Sequence, residues 1–345
     1  MEPIRHATVV TISDASQIGL ARRAAQQLGR HMEFDEQELG RAEIVAVELA
    51  NNILHHTRFN PASPPGQVFL STTPSATALQ IVAVDKGPGI SDIERSLQPG
   101  FSTASTPGLG LASVKNLSQQ FDIYSVPGKG TVVSAIVGPR AGAQQAPLRS
   151  STAVLSTPLP SEVLNGDSWA IAHHPDQDIF LVVDGLGHGL YASEAAGVAV
   201  DLFIRMNASG PPHTPIELIQ HLHTGMRGTR GAAIAIVALD RARRRAFCCG
   251  VGNISCSLHS RDGRSQSLVS HNGTIGYQMP RVHQFEYTCL PGTLLVMHSD
   301  GIATHWAFSK YEHLPTHAPA TIAGLLYRDA WRGRDDATIL VNCVD

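Results

Sequence analysis

The sequence predicts an α+β protein, in which an α/β sandwich is followed by an antiparallel β-sandwich flanked by helices. The chain has 345 residues, which suggests about two domains, and 43% of them are hydrophobic, enough for two packed cores. In the first half, helical periodicity mixes with strand-like runs without strict βαβ alternation, whereas long strand-like runs dominate the second half.

The first half begins with a strand-like run at residues 7–12. Ser13 and Asp14 then offer an N-cap for a helix that ends near Gly29, because glycine favours a C-terminal stop. The remaining predicted elements are a helix at 36–55, strands at 67–72 and 79–85, a helix from about 109, and a hairpin of strands 121–126 and 131–137.

A stretch rich in Gly, Pro, Ala and Gln, residues 138–147, has no apolar periodicity, which is typical of a linker. The sequence therefore predicts one domain at 1–138, a linker at 139–150 and a second domain at 151–345. In the second domain we predict strands near 153–155 and at 179–184, 232–240, 245–250, 254–260, 293–298 and 338–342, and helices at 190–206, 215–226 and 318–331.

Composition excludes several classes of protein. The formal net charge of −3 gives no electrostatic footprint for nucleic acid, and no run of Lys and Arg suggests binding to an anionic membrane surface. The first residues lack the apolar stretch of a signal peptide, and no window approaches about 18 apolar residues, so we expect a cytoplasmic protein. The five cysteines form no C-x-x-C pair and are expected to be reduced.

Four acidic elements of the second half lie beside glycines or at the ends of apolar runs. They are Asp167, Asp184, Asp300 and the pair Asp335-Asp336. A single Asp-Gly is usually a turn, but carboxylates at strand ends can converge on one edge of a sandwich. Their charges would repel one another unless cations compensated them, and hard oxygen ligands of this kind suit Mg²⁺ or Mn²⁺.

Three motifs carry a resemblance to the bacterial PP2C-type phosphatases of the SpoIIE group: Asp184-Gly185-Leu186-Gly187-His188-Gly189, Ser299-Asp300-Gly301 and Arg334-Asp335-Asp336-Ala337-Thr338. Residues 228–233 and 251–253 look closest to the RsbX branch. The resemblance implies a PP2C-like fold, phosphoserine or phosphothreonine hydrolysis and two Mn²⁺ or Mg²⁺ ions. It also implies that Asp184 bridges the ions and that the Gly185 carbonyl binds one. The further direct or water-mediated ligands that it implies are Asp167, Asp300, Asp335 and Asp336.

The first half contains a second constellation. Glu48 and Asn52 are four residues apart, which places both on one helix face. There a carboxylate can activate a hydroxyl, and an Asn oxygen can bind Mg²⁺ that carries phosphates. Asp85 ends a strand and precedes Gly87 and Gly89. Gly108 and Gly110 lead into a helix, whose first amide groups can hold phosphate.

The order of these elements resembles the ATP-binding GHKL fold of gyrase, Hsp90 and histidine kinases, and it looks closest to the anti-sigma serine kinases of the RsbT type. The resemblance implies ATP with Mg²⁺, with Asp85 bonded to the adenine amino group and Thr131 near the adenine. It further implies Asn52 as a Mg²⁺ ligand and Glu48 as the base toward a protein Ser or Thr. Thr106-Pro107 departs from the family pattern, since proline removes an amide donor next to Gly108.

Two hypotheses follow from the fusion of these halves. In the first, one chain carries a serine/threonine kinase and an opposing phosphatase, which act on STAS-domain proteins of a stressosome-like or partner-switching pathway. In the second, the first half is an ATP-sensing or anti-sigma-factor binding module with little transferase activity, and it gates the phosphatase.

Overall fold

The computed structural model describes residues 3–58, 64–98, 110–139, 151–160 and 162–344. The chain divides into two compact units. Unit 1 comprises Met1–Ala153 together with His317–Asp329, and unit 2 comprises Val154–Thr316 together with Ala330–Asp345. All of the linker expected at 139–150 except Pro139 lies outside the described residues, so its boundaries stay a prediction.

The strands are β1 (Thr8–Ile12), β2 (Gly66–Thr72), β3 (Leu79–Asp85), β4 (Gln120–Val126), β5 (Gly130–Val137), β6 (Thr152–Thr157), β7 (Asp167–His173), β8 (Gln177–Gly185), β9 (Ala232–Asp240), β10 (Arg245–Val251), β11 (Ser255–His259), β12 (Ser265–Ser267), β13 (Phe285–Thr288), β14 (Leu294–His298) and β15 (Ala337–Cys343). The helices are α1 (Ser16–His31), α2 (Glu36–Arg58), α3 (Ile93–Ser96), α4 (Gly110–Leu117), α5 (Leu190–Asn207), α6 (Pro215–Gly225) and α7 (Pro319–Ala330).

Unit 1 is built on an antiparallel sheet with the strand order β1-β2-β3-β5-β4. Alternate residues of a strand point to opposite faces. Leu79, Ile81 and Ala83 of β3 therefore join the core that the sheet forms with helices α1, α2 and α4. This arrangement confirms the predicted α/β sandwich.

The second face of this sheet packs against α7. Ser134 and Thr321 share a hydrogen bond of 2.8 Å between their hydroxyls. The Asp122 carboxylate accepts the Ala318 N–H at 2.7 Å and lies 3.0 Å from the His317 ring. Both faces of the sheet are thus covered, which explains why every residue of β3 and β5 is buried.

Unit 2 is a sandwich of two five-stranded sheets, in the orders β13-β10-β9-β8-β7 and β12-β11-β14-β15-β6. Apolar side chains of both sheets, such as Phe180 and Leu295, form the core between them. Helices α5 and α6 pack on the outer face of the first sheet around Phe203 and Leu222. The predicted β-sandwich with flanking helices is confirmed. No helix among the described residues has the length and apolar character needed to span a bilayer.

Several local predictions were wrong. Helix α1 ends at His31, two residues beyond the expected stop near Gly29. Gly29 instead permits close packing, since a Cβ there would lie 2.7 Å from Leu39 Cδ2. The N-cap of α1 is Ala15, although the Asp14 carboxylate still accepts the Ser16 N–H at 2.8 Å. Sequence reasoning also missed α3 and the three strands β7, β12 and β13.

Gly324 supplies a test of the contact between α7 and the sheet. A Cβ at Gly324 would lie 2.7 Å from Val82 Cγ1 and 3.0 Å from Val132 Cγ1. Ala normally stabilises a helix by about 1 kcal/mol over Gly, but overpacking against stiff valines costs about 1–3 kcal/mol. We therefore expect Gly324→Ala to lower the free energy of unfolding by about 1 kcal/mol in urea titrations followed by circular dichroism.

The matched control is Gly197→Ala in the middle of α5, where a Cβ meets nothing within 4 Å. This substitution should raise the free energy of unfolding, by up to about 1 kcal/mol. If Gly324→Ala stabilises the protein as much as Gly197→Ala does, α7 does not pack on the sheet as described.

Candidate functional site

The backbone brings the four acidic elements of unit 2 to one edge of the sandwich. This edge, with Asp167, Asp184, Asp300, Asp335 and Asp336, is called the acidic margin below. Asp167 begins β7 and pairs in register with Asp184, near the end of β8. Asp300 follows β14 by two residues, and Asp336 directly precedes β15, which pairs with β14. The Ser299 N–H donates to the Thr338 carbonyl at 3.0 Å, which extends that pairing toward the acids.

Side-chain hydrogen bonds tie this margin together. The Ser299 hydroxyl donates to the buried Asp167 carboxylate and accepts the Thr338 N–H at 3.0 Å. The two carboxylate oxygens of Asp336 accept the N–H groups of Leu159 and Gly166, at 2.7 and 2.8 Å. Asp167 and Asp336 are therefore held in fixed orientations by contacts between elements that are far apart in the sequence.

Glycines follow Asp184 and Asp300 for a steric reason. A Cβ on Gly185 would lie 2.2 Å from the Ala192 carbonyl oxygen, and a Cβ on Gly301 would lie 2.0 Å from the Asp336 carbonyl oxygen. Any larger residue would push α5 or the start of β15 away from the acids. The glycine of each Asp-Gly pair is therefore needed because another backbone segment passes close to it.

The clustering disfavours the charged forms of the carboxyl groups. Burial, and then the charges of Asp300, Asp335 and Asp336, raise the pKa of Asp184 to about 7. Burial and the charge of Asp184 raise the pKa of Asp167 well above its ordinary value. Burial and the charge of Asp335 likewise raise the pKa of Asp300.

The donor set fits divalent cations. It consists of carboxylate oxygens whose negative charges lack compensation, and Mg²⁺ and Mn²⁺ prefer such ligands. Within the described part of the chain, no three Asp, Glu, His or Cys side chains are already arranged to hold a metal ion. The charges of Asp300, Asp335 and Asp336 act on Asp184, and the charge of Asp184 acts on Asp167. The carboxylates of Asp167, Asp300 and Asp336 also accept hydrogen bonds from the protein. The ligand roles stay a prediction.

Two neighbours of the margin, Asn253 and His188, lie in motifs that the sequence analysis singled out. The Asn253 amide donates to the Asp300 carboxylate at 2.7 Å. The His188 ring lies 3.0 Å from the Glu162 carboxylate. Nothing in the sequence marked Glu162, because it stands outside the acidic motifs. Ser299 could have been found from its place in Ser299-Asp300-Gly301.

In unit 1, the structure brings Asp85 beside helix α2. A Cβ on Gly66 would lie 2.6 Å from Ile53 Cγ2 and 3.2 Å from Asp85 Cβ, so the end of β3 abuts the helix one residue from Asn52. Asp85 is buried and pairs in register with Thr131. The Asp85 carboxylate accepts the Gly87 N–H at 2.8 Å.

Two features on α2 fit a polar ligand. Asn52 Nδ2 is buried and has no hydrogen-bond partner among the described residues, a costly state that a bound ligand would relieve. Burial raises the pKa of Glu48 on the same helix face. The Asn52 amide and the nearby Asp85 carboxylate are the groups expected for a nucleotide with Mg²⁺.

Glycines shape the turn that follows Asp85. Gly89 has a φ of 70°, and a Cβ there would lie 2.2 Å from the Val126 carbonyl oxygen. Gly110 begins α4, and a Cβ there would meet nothing within 4 Å. Gly108 lies outside the described residues, so its phosphate-binding role stays a prediction.

Comparison with known proteins assigns each part of the chain separately. Residues 12–137 match the family described as Histidine kinase-like ATPase domain, and residues 175–345 match Stage II sporulation protein E (SpoIIE). Serine/threonine-protein kinase RsbT of Bacillus subtilis (strain 168) is 36% identical over 119 residues, which cover 33% of this chain and 85% of RsbT.

Phosphoserine phosphatase RsbX of the same strain is 28% identical over 137 residues, which cover 40% of this chain and 67% of RsbX. A crystal structure of RsbX in complex with magnesium aligns with a TM-score of 0.50 at 24% identity. The alignment covers 56% of this chain and 94% of that structure, which shows a shared fold.

The raised pKa of Asp184 predicts how the stability of the metal-free protein depends on pH. The folded protein retains a proton that the unfolded chain, with an ordinary pKa of 3.8, releases as the pH rises toward about 7. Asp184 therefore contributes a decrease in the free energy of unfolding in EDTA between about pH 4 and 7, and His259, whose pKa burial lowers to about 4, contributes an increase over part of the same range.

Asp184→Asn should remove much of this decrease and raise the free energy of unfolding at pH 8 by on the order of 2 kcal/mol. Asp262→Asn, a change at an exposed turn outside the margin, should leave the slope unaltered. Urea titrations over this pH range measure both effects. If the wild type and Asp184→Asn show the same dependence on pH from 4 to 7, the electrostatic clustering is contradicted.

Proposed function

We propose that this chain is a bifunctional switch protein. Its first part belongs to the histidine kinase-like ATPase domain family, and its second part carries a SpoIIE-family, PP2C-type serine/threonine phosphatase domain. The first part transfers phosphate from ATP to a protein Ser or Thr, and the second removes it. The observation that carries this proposal is the convergence of Asp167, Asp184, Asp300, Asp335 and Asp336 on one margin of unit 2.

In the phosphatase part, Asp184, Asp300 and Asp335 would hold two Mn²⁺ or Mg²⁺ ions with the Gly185 carbonyl. When bound, such ions activate water and clamp the phosphate. Asp336 would keep the margin in shape or act through water, since both of its oxygens accept N–H groups, and Asp167, one of whose oxygens accepts the Ser299 hydroxyl, would bind directly or through water. The Asn253 amide orients the carboxylate of Asp300.

In the kinase part, Asp85 would bind the adenine amino group, with Thr131 beside it. Asn52 would bind Mg²⁺ through its side-chain oxygen, and its unpartnered Nδ2 would donate a hydrogen bond to a phosphate oxygen. The Glu48 carboxylate would accept the proton of the substrate hydroxyl, and its raised pKa suits a base better than an ordinary Glu.

The substrates we propose are STAS-domain regulators in a stressosome-like or partner-switching pathway. The support is that one chain joins a region similar to the kinase RsbT with a region similar to the phosphatase RsbX. A tether raises the local concentration of both domains around a common partner. The same pathway type fits the similarity of the first part to anti-sigma F factors.

One observation favours a second candidate, in which the first part senses ATP or binds an anti-sigma partner and gates the phosphatase. Pro107 precedes Gly108 and removes a backbone donor from the expected phosphate loop. In that case ATP binds but no phosphate is transferred.

The phosphatase assignment predicts Mn²⁺-dependent release of phosphate from a phosphoserine protein. Asp184→Asn and Asp300→Asn should each lower kcat at least roughly 100-fold while circular dichroism stays unchanged, because each removes a cation ligand. Asp262→Asn, which removes one exposed carboxylate elsewhere, should keep full activity. Hydrolysis that persists in EDTA would exclude the metal assignment.

The kinase assignment predicts transfer of label from ATP to a STAS domain. Glu48→Gln should reduce transfer at least roughly 100-fold while nucleotide affinity is retained, because it removes only the base. Glu36→Gln, at the exposed start of the same helix, is the matched control. Tight ATP binding by the wild type without transfer to a STAS domain that it binds would support the sensing module instead.

A further inference from the structure

A groove of about 680 Å³ runs along helix α5 in unit 2. One wall consists of α5 residues, among them Tyr191, Glu194 and Asp201, and the other is the turn from Gly228 to Arg230. None of these residues belongs to the acidic margin, and the catalytic assignment leaves the groove without a role.

The groove opens next to the acidic margin. Arg230 Nη1 lies 3.5 Å from the carbonyl oxygen of Leu186, two residues after Asp184. A Cβ on Gly187 would lie 3.0 Å from the same nitrogen. The Leu186 N–H also donates to the Gly231 carbonyl at 3.0 Å, which fixes the Arg230 turn against the Asp184 turn. A peptide bound at the acidic margin can therefore extend directly into the groove.

The mouth of the groove exposes apolar surface. Leu186 is 51% exposed, Leu190 54% and Tyr191 63%. The Arg230 guanidinium lies over the Tyr191 ring, 5.6 Å from its centroid, so the ring and the cation form one surface. Exposed apolar residues grouped at one place mark an interaction site.

Charge changes sign along the groove. Arg230 supplies a positive charge at the end beside Leu186. Glu194 and Asp201 lie seven residues apart on α5, so they share one face at a separation of about 10 Å. Neither carboxylate has an ion-pair or hydrogen-bond partner in the described parts of the chain. Their negative charges are therefore available to a ligand.

We propose that this groove binds the segment of the phosphoprotein substrate that flanks the phosphoserine, and that it selects Lys or Arg side chains in that segment. Arg230 meets the negative charge of the phosphoserine, Tyr191 packs on the peptide, and Glu194 and Asp201 pair with the basic side chains. This inference rests on the proposed phosphatase function and adds the substrate class to it.

The test uses two labelled 12-residue peptides that carry a non-hydrolysable phosphonate in place of phosphoserine, one with Lys and one with Glu on both flanks. Fluorescence anisotropy in Mn²⁺ measures their Kd. We expect the wild type to prefer the Lys peptide by roughly 10-fold, and Glu194→Lys/Asp201→Lys to reverse that preference.

The matched control is Asp176→Lys/Glu312→Lys, which changes the net charge equally at two exposed acids outside the groove and should keep the wild-type preference. Equal affinities of the wild type for both peptides, or a control that reverses like the groove variant, would overturn the proposal. Hydrolysis of p-nitrophenyl phosphate by the wild type reports separately on the phosphatase function, since that compound has no flanking peptide.

Discussion

The mutual repulsion of five carboxylates at one margin of the sandwich is the constraint on which unit 2 depends. Burial and like charge both disfavour the ionised state of Asp184, so the surrounding fold must hold the acids in place against their electrostatic preference. It does so with apolar cores on both sides of the first sheet and with local polar contacts. Ser299 fixes Asp167, and the N–H groups of Leu159 and Gly166 fix Asp336. Bound cations would relieve the same repulsion, so metal binding and stability are linked at this margin.

The parts of this margin that were predictable from sequence lie at the ends of strongly apolar strands. The run before Asp184 and the run before Asp300 identify β8 and β14, and a glycine after each acid signals a sharp turn. Strand β7, which begins at Asp167, was missed because Asp and Ser at its start and His at its end leave only a short apolar run. The contacts of Asp336 with Leu159 and Gly166 span 177 and 170 residues. No local pattern encodes such pairs, so the acids could be named from sequence while their supports could not.

In unit 1, a whole helix could likewise be predicted from the sequence while its packing partners could not. The helical periodicity of residues 318–331 predicted α7 to within a residue at each end, yet its contacts with the sheet of unit 1 depend on side chains about 190 residues earlier, such as Asp122 and Ser134. The sequence did contain one indication that a further layer covers this sheet. Strand β3 has apolar residues on both faces, which is typical of a sheet covered on two sides. That pattern indicates a second covering layer without identifying it.

The two sites of the chain differ in charge, and this difference separates their ligands. The acidic margin gathers five carboxylates, so without cations it repels phosphates. The site on α2 offers a neutral amide without a partner, a single buried Asp85 and a Glu48 whose pKa burial raises. ATP with one Mg²⁺ is better matched to the second environment, because fewer fixed negative charges oppose its phosphates. Under the proposed function, cations would have to offset these charges before the first environment could accept a phosphoserine. If the chain carries the two opposing reactions proposed above, this difference in charge would keep each site from competing for the substrate of the other.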